Sequence, residues 1–158
     1  MPLVIRHARP EDVRTIAEFA MKLVAQHHDY DPARFARIAD IEGMTGFYGG
    51  RVNAGDAALL VADMDGRLAG FAYVQFEERN YAALLEKAAW LHDLYVAEYA
   101  RKSGAGKRLI REAATAAKAL GAEKLMLSVA AENTFAKDIF ERNGFEATMI
   151  EMMLNLAD

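Results

Sequence analysis

Arg101-Lys102-Ser103-Gly104-Ala105-Gly106-Lys107 follows an apolar, strand-like segment and opens the best amphipathic helix pattern in the chain. In that position it reads as a cradle for a pyrophosphate. Two glycines let backbone approach a ligand with no Cβ in the way, and the unpaired N–H groups of a first helical turn point at anionic oxygens. Arg101, Lys102 and Lys107 add positive charge around the turn. A Walker A loop would need Gly where Arg101 stands and Ser or Thr at Arg108, and a dinucleotide fingerprint would need a small residue at Leu109. Neither fits. The pattern that does fit is R/Q-x-x-G-x-G/A, carried by Arg101, Gly104 and Gly106.

Outward from this turn, 158 residues at 53% hydrophobic content suit one domain with one substantial core, spanning 1–158. The chain contains no Cys, which removes disulfides, thiolate metal sites and cysteine nucleophiles together. A net charge of -4 does not favour general nucleic-acid affinity. No segment reads as a secretory signal or a membrane span, so a cytoplasmic location is expected.

Residues 3 to 8 read as a first strand and Pro10-Glu11-Asp12 as a helix start, continued by Val13, Ile16, Ala17, Ala20, Leu23 and Val24. His27-His28-Asp29-Tyr30-Asp31-Pro32 reads as the break after that helix. Residues 33 to 48 read as a shorter helical region ending at Gly49-Gly50. Ala57 to Ala62, the turn Asp65-Gly66 and Leu68 to Glu77 form a hairpin pattern, followed by a helical piece from Tyr81 to Lys87. In Trp90 to Val96, a period of two sends His92, Leu94 and Val96 to one face and Asp93 and Tyr95 to the other. After the cradle, Leu109, Ile110, Ala113, Ala114, Ala117 and Leu120 make a helical stripe ending at Gly121. A strand from Leu125 to Val129, a helix from Asn133 to Arg142 and a Met-rich last strand from Phe145 to Asn155 complete the order.

Taken together, the strand Leu91-His92-Asp93-Leu94-Tyr95-Val96, the loop from Arg101 to Gly106, and Asn133-Thr134-Phe135-Ala136 with Phe140 and Gly144-Phe145 closely resemble the GNAT superfamily of acyl-CoA-dependent N-acetyltransferases. The resemblance spans nearly the whole chain. It implies an α/β (α+β) fold with a mixed, mostly antiparallel sheet of about six or seven strands flanked by about four helices. It also implies that the sheet splits between two parallel strands, here 89 to 96 and 124 to 129, to admit acetyl-CoA as co-substrate. Leu94, Tyr95 and Val96 would pair with the pantetheine arm through backbone, as an added strand does. Arg101, Lys102, Ser103, Gly104, Ala105, Gly106 and Lys107 would hold the pyrophosphate, with Asn133, Ala136 and Phe140 on the other side of the arm.

Moving an acetyl group from a thioester to an amine requires a base for the ammonium proton, donors for an oxyanion and a route for the thiolate. His92 or Asp93 would be the base, directly or through a water, and a backbone N–H of Leu94 or Tyr95 would face the oxyanion. Related family members often carry Glu where His92 stands, and many carry Tyr where Phe140 stands. Phenylalanine has no proton to give the thiolate. An intact enzyme and a catalytically silent acyl-CoA-binding or sensor domain are therefore both open.

His27, His28, Asp29, Tyr30 and Asp31 could rim the acceptor site for a cationic amine or form a solvated turn. Adjacent His side chains diverge and there is no second ligand cluster, so no metal is expected. The spacing from Leu91 to Gly144 is most similar to the diamine and polyamine branch, which makes a small primary amine the first acceptor to consider. An amino acid, an aminoglycoside or a protein N-terminus comes after it. The run Met149-Ile150-Glu151-Met152-Met153 reads as core or as the surface of a homodimer, with core preferred.

Overall fold

A computed structural model describes residues 2–157. Strand β1 (Leu3–His7) leads through a 3-10 turn at Pro10–Asp12 into helix α1 (Val13–Tyr30). Asp12 fixes this corner: its carboxylate accepts from the Arg6 guanidinium at 2.8 Å and from the Arg9 backbone N–H at 2.8 Å. Helix α2 (Ile41–Gly49) is capped by Asp40, whose Oδ1 accepts from Gly43 N at 2.7 Å. Strand β2 (Ala57–Met64) turns into β3 (Arg67–Asn80) at Asp65 and Gly66, with φ of 55° and 90°. Two successive positive values are what a type I′ hairpin demands.

Strand β4 (Leu85–Val96), helix α3 (Ala105–Ala119), strand β5 (Lys124–Met126) and helix α4 (Thr134–Arg142) follow. The sheet order is β1-β2-β3-β4-β5, antiparallel except for the parallel β4–β5 pair. Two apolar layers cover it. Val13, Ile16, Phe19 and Ala20 of α1 and Tyr48 of α2 pack with Val61, Phe71, Tyr73 and Tyr95 on one face. Leu109, Ala113 and Ala117 of α3 pack with Leu60, Val74, Ala89 and Leu91 on the other. This is the helix–sheet–helix layering in which both faces of a sheet are buried.

The structure differs from the sequence reading in five places. Helix α1 runs on through His27, His28, Asp29 and Tyr30, because apolar spacing continues past Val24 and no proline intervenes before Pro32. Residues 33–40 are not helical, and α2 starts only where Asp40 supplies a cap. Tyr81 to Leu84 is a turn rather than a helix, with β4 starting at Leu85. Strand β5 ends at Met126 rather than at residue 129, and the expected strand from Phe145 to Asn155 is not formed. The sheet therefore has five strands among the described residues, not the six or seven expected. The run from Met149 to Met153 is exposed rather than core.

Candidate functional site

The central irregularity lies in β4. Tyr73 pairs with Asp93, but its neighbour Val74 pairs with Leu91, so His92 is an extra residue with no partner on β3. An inserted residue in one strand reverses the side-chain parity beyond it. Leu91 before the bulge and Leu94 and Val96 after it therefore all join the α3 side. His92 is turned to the α1 and α2 side, where its ring stacks on Tyr73 at 5.5 Å and on Trp90 at 6.2 Å. Asp93 is on that side too, bonded to Tyr48 of α2. The simple alternation, which separates His92 from Asp93, is corrected by the bulge.

The two side chains have different surroundings. His92 is exposed, and among the described residues its ring nitrogens have no hydrogen-bond partner. Asp93 is half-buried and accepts from Tyr48 Oη at 2.6 Å. Burial pushes the Asp93 carboxyl above the ordinary aspartate range, and the Tyr48 bond and the neighbouring His92 and His27 rings oppose that rise only in part. Burial and the adjacent carboxylate likewise push the Tyr48 phenol up, so it stays protonated and remains the donor.

Sequence reasoning did not single out the wall around this pair. Tyr48 and Tyr73 meet edge-on at 6.0 Å, and Tyr73 Oη donates to Gln75 Oε1 at 2.6 Å. Arg51 donates to the same Gln75 oxygen at 3.1 Å and sits over the Phe47 ring. Among the described residues, the buried Trp90 Nε1 and Arg51 Nε have no hydrogen-bond partner. Glycines around Tyr48 hide its helix in sequence, and only the bulge assigns Trp90 and Tyr73 to one face.

At the carboxyl end of β4, Gly70 of β3 lies against the strand so tightly that a Cβ would stand 2.3 Å from the Tyr95 carbonyl oxygen. Parallel pairing with β5 stops at Trp90 and Met126, so from Leu91 onward β4 has a partner only in β3 among the described residues. After Val96 the chain passes through a 3-10 turn at Glu98–Ala100 into the cradle. Gly104 has φ of 89°, a left-handed value that an L side chain resists. Gly106 has no such need, and a Cβ there would make an ordinary 3.6 Å contact with Val96. Arg101, Lys102, Ser103 and Lys107 are exposed around the turn. Ala105 is buried, and its N–H is taken by Ser103 Oγ at 3.2 Å.

Across from β4, Asn133 caps α4 by accepting from Ala136 N at 3.1 Å, so these two are engaged with each other. Phe140 is half-buried on the α3 side and meets Phe145 edge-on at 5.6 Å. Of the α1 residues, His27 donates through Nδ1 to the Leu23 carbonyl at 2.8 Å, and its field at Asp93 favours the carboxylate. His28 donates to the Phe35 carbonyl at 2.9 Å, Asp29 pairs with Arg37 at 3.6 Å and Tyr30 accepts from Gln26 at 2.7 Å. Those three hold the end of the helix. Of these four, His27 is the one whose field acts on Asp93.

Among the described residues, no group of three or more His, Cys, Asp or Glu side chains is placed to hold a metal ion, and no helix is long and apolar enough to cross a membrane. A cavity of about 920 Å³ lined by Arg6, Asp12, Phe19, Lys22, Arg67 and Tyr99 lies at the start of α1, apart from the His92–Asp93 pair.

The profile of the Acetyltransferase (GNAT) family matches residues 12–145. The chain is 29% identical to an uncharacterized N-acetyltransferase, YhfO, from Bacillus subtilis (strain 168), over 90% of this chain and 89% of that protein. In fold it is similar to a mutant of the BH1408 protein from Bacillus halodurans, with a TM-score of 0.83 at 18% identity over 98% of this chain and 99% of that one. It is also similar to the aminoglycoside N-acetyltransferase AAC(6')-Iy in complex with CoA, with a TM-score of 0.75 at 18% identity over 98% of this chain and 94% of that one. The chain belongs to the acetyltransferase (GNAT) family and is an acetyl-CoA-dependent acetyltransferase.

Proposed function

We propose that the chain moves an acetyl group from acetyl-CoA to a small primary amine, a diamine or polyamine first, by direct transfer within a ternary complex. The observation that carries this reading is the bulge, since it puts an exposed histidine and a desolvated carboxylate on one face at the point where β4 loses its β5 neighbour. With no cysteine in the chain, a cysteinyl acyl-enzyme is not available.

In this reading, residues 101–107 receive the pyrophosphate on the N–H groups of Gly104, Gly106 and Lys107, with Arg101 and Lys102 as counter-charges. The unpaired edge of Leu94, Tyr95 and Val96 takes the pantetheine amides, with Asn133, Ala136 and Phe140 opposite. His92 removes the ammonium proton, a role open to an exposed imidazole whose ring nitrogens have no partner among the described residues. The amine nitrogen then attacks the thioester carbon while a backbone N–H of Leu94 or Tyr95 faces the oxyanion. As the carbon–sulfur bond breaks, the nitrogen gives up its second proton to become the neutral amide, and that proton passes through water to the departing thiolate, because Phe140 has none to give. A thiol pKa of about 8.5 makes that departure feasible without a protein acid.

Asp93 supplies negative charge beside the base, and Tyr73 and Trp90 supply aromatic faces, a combination suited to a cationic amine. A cytoplasmic site of action accompanies this reading, as a chain without cysteine needs no oxidising compartment. Thiol release from acetyl-CoA across a panel of diamines, polyamines, amino acids and aminoglycosides tests the acceptor. Release that depends on a diamine or polyamine supports this reading, and release with an amino acid or aminoglycoside alone overturns it.

A further inference from the structure

A second cavity, of about 340 Å³, opens where the end of β1 and the start of β2 meet the connection after α2. Ala8, Ala54, Ala57 and Leu59 give it an apolar floor. Its polar groups are Arg51, His7 and Asn53, and among the described residues no carboxylate lines it. A chain of net charge -4 thus presents here a cation, an imidazole and an amide with no acid beside them.

Arg51 is the centre of this group. It is half-buried, yet its contacts are neutral: Nη1 donates to Gln75 Oε1 at 3.1 Å, and the guanidinium lies over the Phe47 ring at 5.5 Å. Taking a guanidinium out of water without a counter-charge is costly, so a cation held this way calls for an anion. Its planar donors suit the paired oxygens of a carboxylate or phosphate.

The cavity is distinct from the cradle and from the transfer site. In register, Ala57 lies opposite Gln75 and Leu59 opposite Tyr73, whereas Gly70, earlier on β3, lies opposite Val96. At the usual strand spacings the cavity is roughly 17 Å along the sheet from the cradle end of β4, and two strands, about 10 Å, across it from His92. One chain of contacts joins it to His92. Gln75 Oε1 accepts from Arg51 and, at 2.6 Å, from Tyr73 Oη, and the Tyr73 ring stacks on His92 at 5.5 Å.

We propose that this cavity is a second ligand site, for a small molecule whose oxyanion pairs with Arg51 beside His7 and Asn53, and that its occupancy is transmitted to His92 through Gln75 and Tyr73. The bound oxyanion competes with Gln75 for the guanidinium, and the same Gln75 oxygen orients the Tyr73 hydroxyl. The apolar floor takes the body of the ligand. The site stands apart from the acetyl-transfer reading, on which only the kinetic meaning of the link to His92 rests.

The chain has four histidines: His7 on the cavity, His92 at the end of the link, and His27 and His28 on α1. Histidine-selective NMR of the CoA-saturated protein, with the cradle filled, therefore reads both ends in one titration. Inorganic phosphate and succinate, added separately at constant pH and ionic strength, should shift His7 saturably, with a dissociation constant of about 1 mM or lower for one of them. His92 should move with the same midpoint, and the better-bound probe tells a phosphate site from a carboxylate site. Asn53→Asp keeps Arg51 and suits the left-handed φ of 61°, while placing a negative charge on the cavity. It should weaken binding about tenfold, and Arg51→Met should abolish it. No saturable His7 shift with either probe overturns the site, as does binding that Asn53→Asp leaves unchanged. A His7 shift with His92 unmoved overturns the link. Failure of the acetyl-transfer reading shows separately, in thiol release.

Discussion

The hydroxyl of Tyr48 in α2 donates to Oδ2 of Asp93 at 2.6 Å, joining the helical layer to β4 one residue past its bulge. This bond opposes the effect of burial on the Asp93 carboxyl. In Tyr48→Phe, burial acts with less opposition and Asp93 is pushed further up. The acidic limb of the kcat/KM profile should move to higher pH, with a stability loss of about 1–2 kcal/mol for the lost bond. A profile unchanged from wild type would remove Asp93 from the reacting centre.

Asp93 itself should show a trade between stability and activity. Its folded pKa is raised, so its ionisation costs stability as pH rises from the ordinary aspartate range through the folded value. Asp93→Asn keeps an acceptor for Tyr48 and removes the charge. Its thermal midpoint should exceed that of wild type at pH 7 to 8, with the gain shrinking toward pH 4, while turnover falls by about tenfold or more. Paired melting curves at the two pH values check the sign.

The two cradle glycines should respond unequally to alanine. At Gly104 the left-handed φ of 89° strains any Cβ, so Gly104→Ala should raise KM for acetyl-CoA by about tenfold, with a folding cost of about 1 kcal/mol. At Gly106 a Cβ meets only Val96 at 3.6 Å. Steady-state kinetics of Gly106→Ala should remain within about twofold of wild type.

If water protonates the thiolate, Phe140→Tyr should raise kcat several-fold when sulfur departure limits the rate, by adding a donor where none stands. Tyr99→Phe should leave kcat unchanged, since the Tyr99 hydroxyl is already committed to the Leu68 carbonyl at 2.6 Å. A marked loss in Tyr99→Phe would show that this hydroxyl serves the reaction.

Much of this architecture was legible where local chemistry acts alone. The Asp65-Gly66 turn, the stripe of α3 and the cap at Asn133 are short-range signals, and each element formed close to its expected bounds. The bulge was not legible, because nothing in Leu91-His92-Asp93 distinguishes an inserted residue from a regular strand until β3 is laid beside it. The Tyr48–Asp93 bond was hidden for a related reason: it joins residues 45 apart, through a glycine-rich helix whose pattern is weak. The run from Met149 to Met153 has the composition of core and is nevertheless exposed, a placement that composition alone does not reveal.

The most direct test of the central claim is kcat/KM for His92→Ala against wild type on an accepted amine, with the acetyl-CoA dissociation constant measured alongside. Removal of a general base should lower kcat/KM by about 100-fold or more, restored in part at high pH where the amine is already neutral, while acetyl-CoA affinity stays within about twofold. Undiminished transfer by His92→Ala across that pH range would contradict the assignment of His92 as the base.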